Sequence, residues 1–135
     1  GIKVIDDYGH HPTEINVTLT AARNLAQAGR VLVIFQPHRY SRTAAFAKEF
    51  SEALSLADYT YLLEVYAASE APLPGVSSLM IAREMSTDKV KFEPSMIKVV
   101  EEISKIAKSG DVIITLGAGD VNSLAQPILQ AISDL

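Results

Sequence analysis

The side chains best suited to chemistry fall in four short polar segments, and each segment directly follows an apolar run. The first, DDYGHHP (6–12), brings together two carboxylates, a phenol and two imidazoles. The second, QPHRYSRT (36–43), places one imidazole and two guanidiniums within five residues, His38 to Arg42. Carboxylates, imidazoles and guanidiniums are the groups that transfer protons or hold anions. The remaining two segments are LLEVYAASEAPLPG (62–75) and TLGAGDVNS (115–123).

The second segment carries the strongest chemical indication. Arg39 and Arg42 fall at the start of a predicted helix, where the N-terminus already carries partial positive charge and each cation costs about 0.3–1 kcal/mol. Two arginines three residues apart can share one face and grip a carboxylate or phosphate in a fork. We therefore interpret His38, Arg39 and Arg42 as a site for a small anion. The alternative is a pair of solvated arginines, with Ser41 or Thr43 capping the helix.

The first segment allows three interpretations. Asp6 or Asp7 can accept a hydrogen bond from a ribose hydroxyl at the end of a strand. The two acids can bind a metal together with His10 and His11, but adjacent histidines diverge and no other ligand has recognisable spacing, so no metal site is predicted. In the structural alternative, one aspartate and His11 cap the helix that Pro12 opens.

The third segment offers two acids. Glu64 ends an apolar run, and Glu70 lies among small residues and prolines. Either carboxylate can meet an ammonium group or a magnesium-bound water, while the simpler interpretation of Glu70 is an exposed acid on an ordered loop. Tyr66 is interpreted as a packing residue.

The fourth segment combines Gly117, Gly119 and Asp120 ahead of the last predicted helix. Backbone N–H groups in such a turn can hold an anion. The turn is not a dinucleotide-binding fingerprint, because the third glycine of that pattern would fall at Asn122. Asp120 can equally be a simple helix cap.

The elements that must position these segments alternate along the chain. Several β-rich runs are almost wholly apolar, which is typical of strands covered on both faces. The alternation predicts an α/β three-layer sandwich, with a mostly parallel sheet of about five to six strands and helices on both faces. Ligands of such sheets bind beyond the carboxyl ends of the strands, where the polar segments lie. The predicted strands are 2–5, 30–36, 59–65, 89–93 and 111–117, and the predicted helical stripes begin near Ile15, Phe46, Leu79, Met96 and Val121, with Pro127 giving the last helix a kink or a late start.

Composition limits the class of protein. The 135 residues are 48% hydrophobic and carry a net charge of −4, which fits one globular domain, residues 1–135, and gives no sign of nucleic-acid binding. Without cysteine the chain has no disulfide framework and no thiol nucleophile, which fits a cytoplasmic protein. A predicted strand begins immediately after Gly1, so we expect a domain taken from a larger protein.

The motifs DDYGHHPTEI, FQPHRYSRT, LLEVYAASEAP and LGAGDV, in this order and spacing, resemble the C-terminal domain of the Mur ligases over essentially the whole chain. The string HRYSRT is similar to the branch of the family that adds L-alanine. This resemblance implies a Rossmann-like fold. It also implies an N-terminal domain for the UDP-sugar and a central domain with the ATP P-loop and the magnesium ligands, both of them absent from this chain.

The activity that the resemblance implies is ATP-dependent joining of L-alanine to UDP-N-acetylmuramate, through an acyl phosphate, in peptidoglycan precursor synthesis. The implied partners are those three substrates and the chain's own two other domains, with no nucleic acid and no membrane. ATP and Mg²⁺ would be bound by the full-length enzyme and not by this domain alone, so the isolated domain is expected to be inactive.

The resemblance also implies roles for individual residues. Asp7 would hold the ATP ribose, while Tyr8 and the catalytic His10 would face the nucleotide phosphates or the reaction intermediate. The alanine carboxylate would be bound by His38, Arg39 and Arg42, and the pocket would be bordered by Glu64, Gly117, Gly119 and Asp120.

The competing hypothesis is a stand-alone Rossmann-like module that holds a small anion without catalysis.

Overall fold

A computed structural model describes residues 1–86 and 88–134. Its centre is a sheet of five strands in the order β1-β5-β2-β3-β4, with every neighbouring pair parallel. The predicted α/β class and parallel sheet are therefore confirmed. The strands are β1 (Lys3–Asp7), β2 (Val31–Phe35), β3 (Tyr59–Leu62), β4 (Val90–Phe92) and β5 (Val112–Leu116).

Helices follow the strands in chain order, and two of them begin at a recognisable signal. Helix α1 starts with Pro12 at its first position, and α4 starts after Ser95, whose hydroxyl accepts from the Lys98 N–H at 3.3 Å. The late start predicted at Pro127 is confirmed, because a short 3₁₀ helix precedes α5. The helices are α1 (Pro12–Ala26), α2 (Tyr40–Leu54), α3 (Leu79–Glu84), α4 (Met96–Ile106), the 3₁₀ helix (Asp120–Leu124) and α5 (Ala125–Ser133).

The two faces of the sheet bury different helices. Side chains alternate along β2, so that Val33 and Phe35 join one buried cluster while Leu32 and Ile34 join the other. The first cluster takes its helical residues from α1, α2 and α3, and the second from α4, the 3₁₀ helix and α5. The three-layer arrangement is thereby confirmed. None of the helices in the described ranges has the length and apolar character needed to span a bilayer.

The chain leaves β5 toward one face of the sheet, whereas it leaves the flanking strands β1 and β2 toward the other. The face that carries the first buried cluster holds α1 and α2, and the opposite face holds the 3₁₀ helix. The loops after β1 and β2 therefore diverge from the loop after β5. Divergence of this kind opens a crevice at the carboxyl edge of a parallel sheet, where ligands bind. Topology therefore selects this edge for the site.

Strand β1 continues through both aspartates, so the expectation that they open a loop is wrong. Asp6 pairs with Thr115 and Asp7 with Leu116 of β5, and the Thr115 hydroxyl donates to Asp6 Oδ1 at 2.6 Å. This side-chain bond and the backbone ladder with β5 together extend the strand past the apolar run. The loop begins only at Tyr8.

The opposite edge of the sheet is held by a buried acid. Asp111 precedes β5 and accepts from the Arg30 side chain at 2.7 Å and from the Lys108 N–H at 2.8 Å. Burial alone would raise the pKa of Asp111, but the hydrogen bonds from Arg30 and Lys108 outweigh it and hold that pKa below its usual value. This cluster joins the starts of β2 and β5 and lies away from the crevice.

Candidate functional site

Three aromatic rings from three different loops lie in a row at the carboxyl edge of the sheet. The rings of His10, after β1, and His38, after β2, have centroids 5.9 Å apart. On its other side His38 stacks against Tyr66, after β3, at 5.7 Å and an interplanar angle of 19°. The structure therefore brings together the predicted residues His10 and His38, and it adds Tyr66.

Backbone hydrogen bonds join the second and third loops directly. The Arg39 N–H donates to the Tyr66 carbonyl at 2.7 Å, and the Tyr66 N–H donates to the Pro37 carbonyl at 2.8 Å. His38 and Tyr66 form an isolated parallel bridge between these two bonds. These backbone bonds hold the second and third loops together beyond the ends of β2 and β3, and they place His38 beside Tyr66.

The glycine turn after β5 packs against the same group. A side chain at Gly119 would lie 2.5 Å from Gln36 Oε1 and 2.6 Å from Tyr66 Cγ, so only glycine fits there. Gln36 is buried, donates to Asp120 Oδ1 at 2.6 Å and accepts from the Val121 N–H at 3.1 Å. The sequence interpretation missed this role, although a polar residue at the end of an apolar run was its visible signal.

Two buried nitrogen atoms beside this row have no hydrogen-bond partner among the described residues. They are Nδ1 of His38 and Nη1 of Arg42. Buried polar groups are nearly always hydrogen-bonded, because an unpaired one costs about 1–3 kcal/mol. The two atoms are therefore the strongest candidates for ligand contacts in the crevice.

The pKa of His38 lies below its usual value. Burial of the ring is the largest cause, followed by the positive charges of Arg42 and Arg39, and then of His10, while Glu70 acts in the opposite direction. The imidazole is consequently neutral at neutral pH. A negatively charged guest at this place would favour its protonation.

The start of α2 differs from the expectation that Ser41 or Thr43 caps it. Arg39 is the exposed N-cap residue, and neither Ser41 nor Thr43 caps the helix, because both hydroxyls act as donors. Instead Glu70 reaches from the third loop, accepting from the Ser41 N–H at 2.9 Å and from the Ser41 hydroxyl. These bonds hold the pKa of Glu70 below its usual value. The first compensating anion at this helix end is therefore part of the chain itself.

Arg39 and Arg42 differ in their surroundings. Arg42 is half-buried and its Nη1 lies inside the protein, whereas Arg39 is exposed. Both positive charges lower the pKa of His38, and Arg39 also lowers the pKa of Glu70. Joint clamping of one anion by the two guanidiniums stays a prediction, and it is Arg42 that has a buried nitrogen without a partner among the described residues.

The first loop is ordered by Asp7 and by a helix cap. Asp7 Oδ1 accepts from the Gly9 N–H at 2.7 Å and Asp7 Oδ2 accepts from the Thr18 hydroxyl at 3.2 Å. His11 Nδ1 accepts from the Thr13 N–H at 3.2 Å, which confirms His11 as the cap of α1. Tyr8 lies in this loop with 65% of its surface exposed, available to a partner above the crevice.

Glu64 is engaged in its own loop. Its Oε1 accepts from the Val65 N–H at 2.9 Å and from the Ser78 N–H at 3.5 Å, next to the start of α3. Its predicted place at the border of the pocket stays a prediction. In the described parts of the chain, no three histidine, cysteine, aspartate or glutamate side chains form a group suited to a metal ion.

Comparison with known proteins identifies the family of this chain. Residues 1–119 match the family described as "Mur ligase, glutamate ligase domain". A protein of Mycolicibacterium smegmatis named UDP-N-acetylmuramate–L-alanine ligase is 52% identical over 131 residues, which are 96% of this chain and 27% of that protein. The protein of the same name from Rhodococcus erythropolis is 46% identical over 143 residues, covering 98% of this chain and 28% of its own length.

Solved structures show the same fold. The UDP-N-acetylmuramate-alanine ligase of Thermotoga maritima superposes with a TM-score of 0.72 at 28% identity, covering 98% of this chain and 27% of that one. A murein peptide ligase of Psychrobacter arcticus reaches a TM-score of 0.80 at 24% identity, covering 99% of this chain and 28% of that one. The chain spans a little over a quarter of the length of these relatives, and the family match extends over most of its residues. The chain therefore belongs to the Mur ligase family and corresponds to its C-terminal domain.

Proposed function

We propose that this chain is the amino-acid-binding domain of an ATP-dependent ligase that joins L-alanine to UDP-N-acetylmuramate in peptidoglycan precursor synthesis. The relatives that carry the name of this reaction share about half of its residues. We assign the UDP-sugar site and the ATP P-loop to other domains of the same enzyme, and this is supported by the chain's span of about 28% of the relatives' length. The domain's own task is to place the incoming amine.

The observation that carries this proposal is the pair of buried nitrogens on His38 and Arg42 that lack a partner. An α-carboxylate offers lone pairs that satisfy an imidazole N–H and a guanidinium at once. Alanine is small, so anchoring its carboxylate leaves the amine close to the crevice opening. Fixing a nucleophile in this way contributes to the rate through orientation.

The first loop fits the nucleotide side of the reaction. Asp7 already accepts two hydrogen bonds, but a carboxylate has about four lone-pair positions, so it can also accept from a ribose hydroxyl. His10 belongs to the same loop, and its ring centroid lies 5.9 Å from that of His38 in the proposed amino-acid site. We assign His10 and the exposed Tyr8 to the phosphates or to the tetrahedral intermediate.

The proposed reaction proceeds in two steps. The muramoyl carboxylate first attacks the terminal phosphorus of ATP, forming an acyl phosphate and releasing ADP. The alanine amine then attacks the acyl carbon, losing a proton as the C–N bond forms, and inorganic phosphate departs. The residues of this chain hold the alanine carboxylate and line the crevice in which the negatively charged intermediate forms.

Kinetics of the full-length ligase that carries this chain test the proposal. Arg42→Ala removes a charge-assisted contact, so the KM for alanine is expected to rise about ten- to a hundredfold, with the KM for ATP changed less than about twofold. Arg83→Ala is the matched control, because Arg83 is an exposed arginine on α3, away from the crevice. An equal rise in both KM values for Arg42→Ala would contradict the assignment.

A second measurement tests the division of labour between this domain and the rest of the ligase. The chain by itself is expected to release no phosphate from ATP in the presence of alanine and UDP-N-acetylmuramate. Steady turnover by the isolated chain would contradict the division of labour proposed here.

A further inference from the structure

Helix α2 begins beside the proposed amino-acid site, yet its N-terminus is already occupied. The Ser41 N–H belongs to the first turn, where backbone donors lack intrahelical partners. Glu70 accepts from this N–H at 2.9 Å and also from the Ser41 hydroxyl. A carboxylate of the chain thus occupies the position at which helix ends ordinarily receive external anions.

Joining the two loops does not require this carboxylate. The backbone bonds between Arg39 and Tyr66 and between Tyr66 and Pro37, at 2.7 and 2.8 Å, already hold them together. The distinct contribution of Glu70 is therefore its negative charge at the helix end, next to Arg39. The positive charge of Arg39 favours the ionised form of Glu70 and lowers its pKa. Arg42, in contrast, has a buried nitrogen without a hydrogen-bond partner among the described residues.

The backbone that presents Glu70 is strained. Ala68 and Ser69 have φ values of 52° and 71°, a region that non-glycine residues seldom adopt, and the Glu70 N–H closes the turn onto the Ala67 carbonyl at 3.0 Å. Arg39, the N-cap residue itself, also has a positive φ of 71°. Strain of this kind concentrates at functional sites. Here it is found on both sides of the Ser41–Glu70 contact.

We propose that Glu70 is a specificity-determining positioning residue: it occupies the N-terminus of α2, so that the substrate carboxylate binds only at Arg42 and His38. The inference rests on the proposed function. Without Glu70, the Ser41 donors and Arg39 form a second anion site a few residues from the first. Alanine held there would be displaced from its productive position, and unrelated carboxylates would compete for the exposed donors.

The test uses the full-length ligase with Glu70→Ala, Glu70→Gln and formate as the probe anion. For Glu70→Ala we expect kcat to fall at least about fivefold and formate to inhibit at concentrations at least about fivefold lower than in the unmodified enzyme, the size of one anion contact at a helix end. Glu70→Gln keeps an acceptor for Ser41 but loses the charge, so both effects should be intermediate. The KM for ATP should change less than about twofold, because the nucleotide side is untouched.

Glu49→Gln is the matched control, since it removes the same charge from an exposed position of the same helix. It should leave kcat and formate inhibition unchanged. If Glu70→Ala instead raises the KM for alanine with kcat intact, and formate restores activity, Glu70 is only a loop clamp and the inference fails. Arg42→Ala separates this failure from a failure of the proposed function. If the KM for alanine is unchanged in that variant, the proposed alanine site itself is wrong.

Discussion

Tyr66 stacks on His38 with ring centroids 5.7 Å apart and planes inclined by 19°. Gly119 packs against the same phenol, because a Cβ added to this glycine would lie 2.6 Å from Tyr66 Cγ. Burial is the largest cause of the lowered pKa of His38. We expect the neighbouring tyrosine ring to contribute to that burial.

Replacing Tyr66 with alanine should expose His38 and raise its pKa toward the ordinary value of 6.5. NMR titration of the imidazole measures this shift. In the full-length enzyme the KM for alanine should rise about three- to tenfold, because the His38 ring loses its fixed position and an aromatic contact of about 0.5–1.5 kcal/mol. Tyr66→Phe keeps the ring and should resemble the unmodified protein. A large effect of the phenylalanine variant would show that the hydroxyl, and not the stacking, is what matters.

Binding of alanine should be linked to proton uptake at His38. The free pKa lies below 6.5, and a bound carboxylate stabilises the imidazolium and raises it. Affinity should therefore increase as the pH falls through the interval between the bound and the free pKa, and level off outside that interval. Alanine KM values measured from about pH 5.5 to 7.5 test this expectation. The slope should disappear in His38→Asn, and a slope that persists there would assign the proton to another group.

Gly119→Ala should destabilise the turn after β5. The added methyl group would lie 2.5 Å from Gln36 Oε1 and 2.6 Å from Tyr66 Cγ, and overpacking of this kind costs about 1–3 kcal/mol. Denaturant unfolding measures the loss of stability. Gly1→Ala, which adds the same methyl group where no atom lies within 4 Å, is the control. If both variants unfold alike, the contact of the turn with Tyr66 is looser than this packing indicates.

The overall fold could be predicted because it rests on local patterns. Apolar runs such as VLVIF in β2 require cover on both faces, and the helical stripes on α1 and α4 supply that cover. The position of β5 between β1 and β2 could not be obtained in this way, because strand order depends on contacts distant in sequence. The crevice follows from that order.

The candidate site was predicted in its parts but not in its connections. His10, His38 and Arg42 stand out in the sequence because such residue types rarely crowd the end of a strand. Glu70 could not be assigned, since its contact with Ser41 spans 29 positions and depends on a turn in which Ala68 and Ser69 take positive φ values that neither residue type favours. Glu70 therefore supplies a negative charge at the helix end that the sequence did not indicate, while the external anion at the two arginines stays a prediction.

Among the acidic residues, Asp111 should contribute most to the pH dependence of the stability of the sheet. It is almost fully buried and accepts from Arg30 and from the Lys108 N–H, so Asp111→Asn should lower the free energy of unfolding by about 2–3 kcal/mol near neutral pH. Because its pKa in the folded state lies below 3.8, the stabilisation is complete above that pH and is lost as the pH falls through the folded-state pKa. Urea unfolding at neutral and acidic pH should therefore show a difference between variant and unmodified protein that shrinks in acid. Asp134→Asn makes the same chemical change at an exposed position and should cost less than about 0.5 kcal/mol. A difference for Asp111→Asn that stays constant down to acidic pH would show that the lost contacts, and not the charge, hold this edge together.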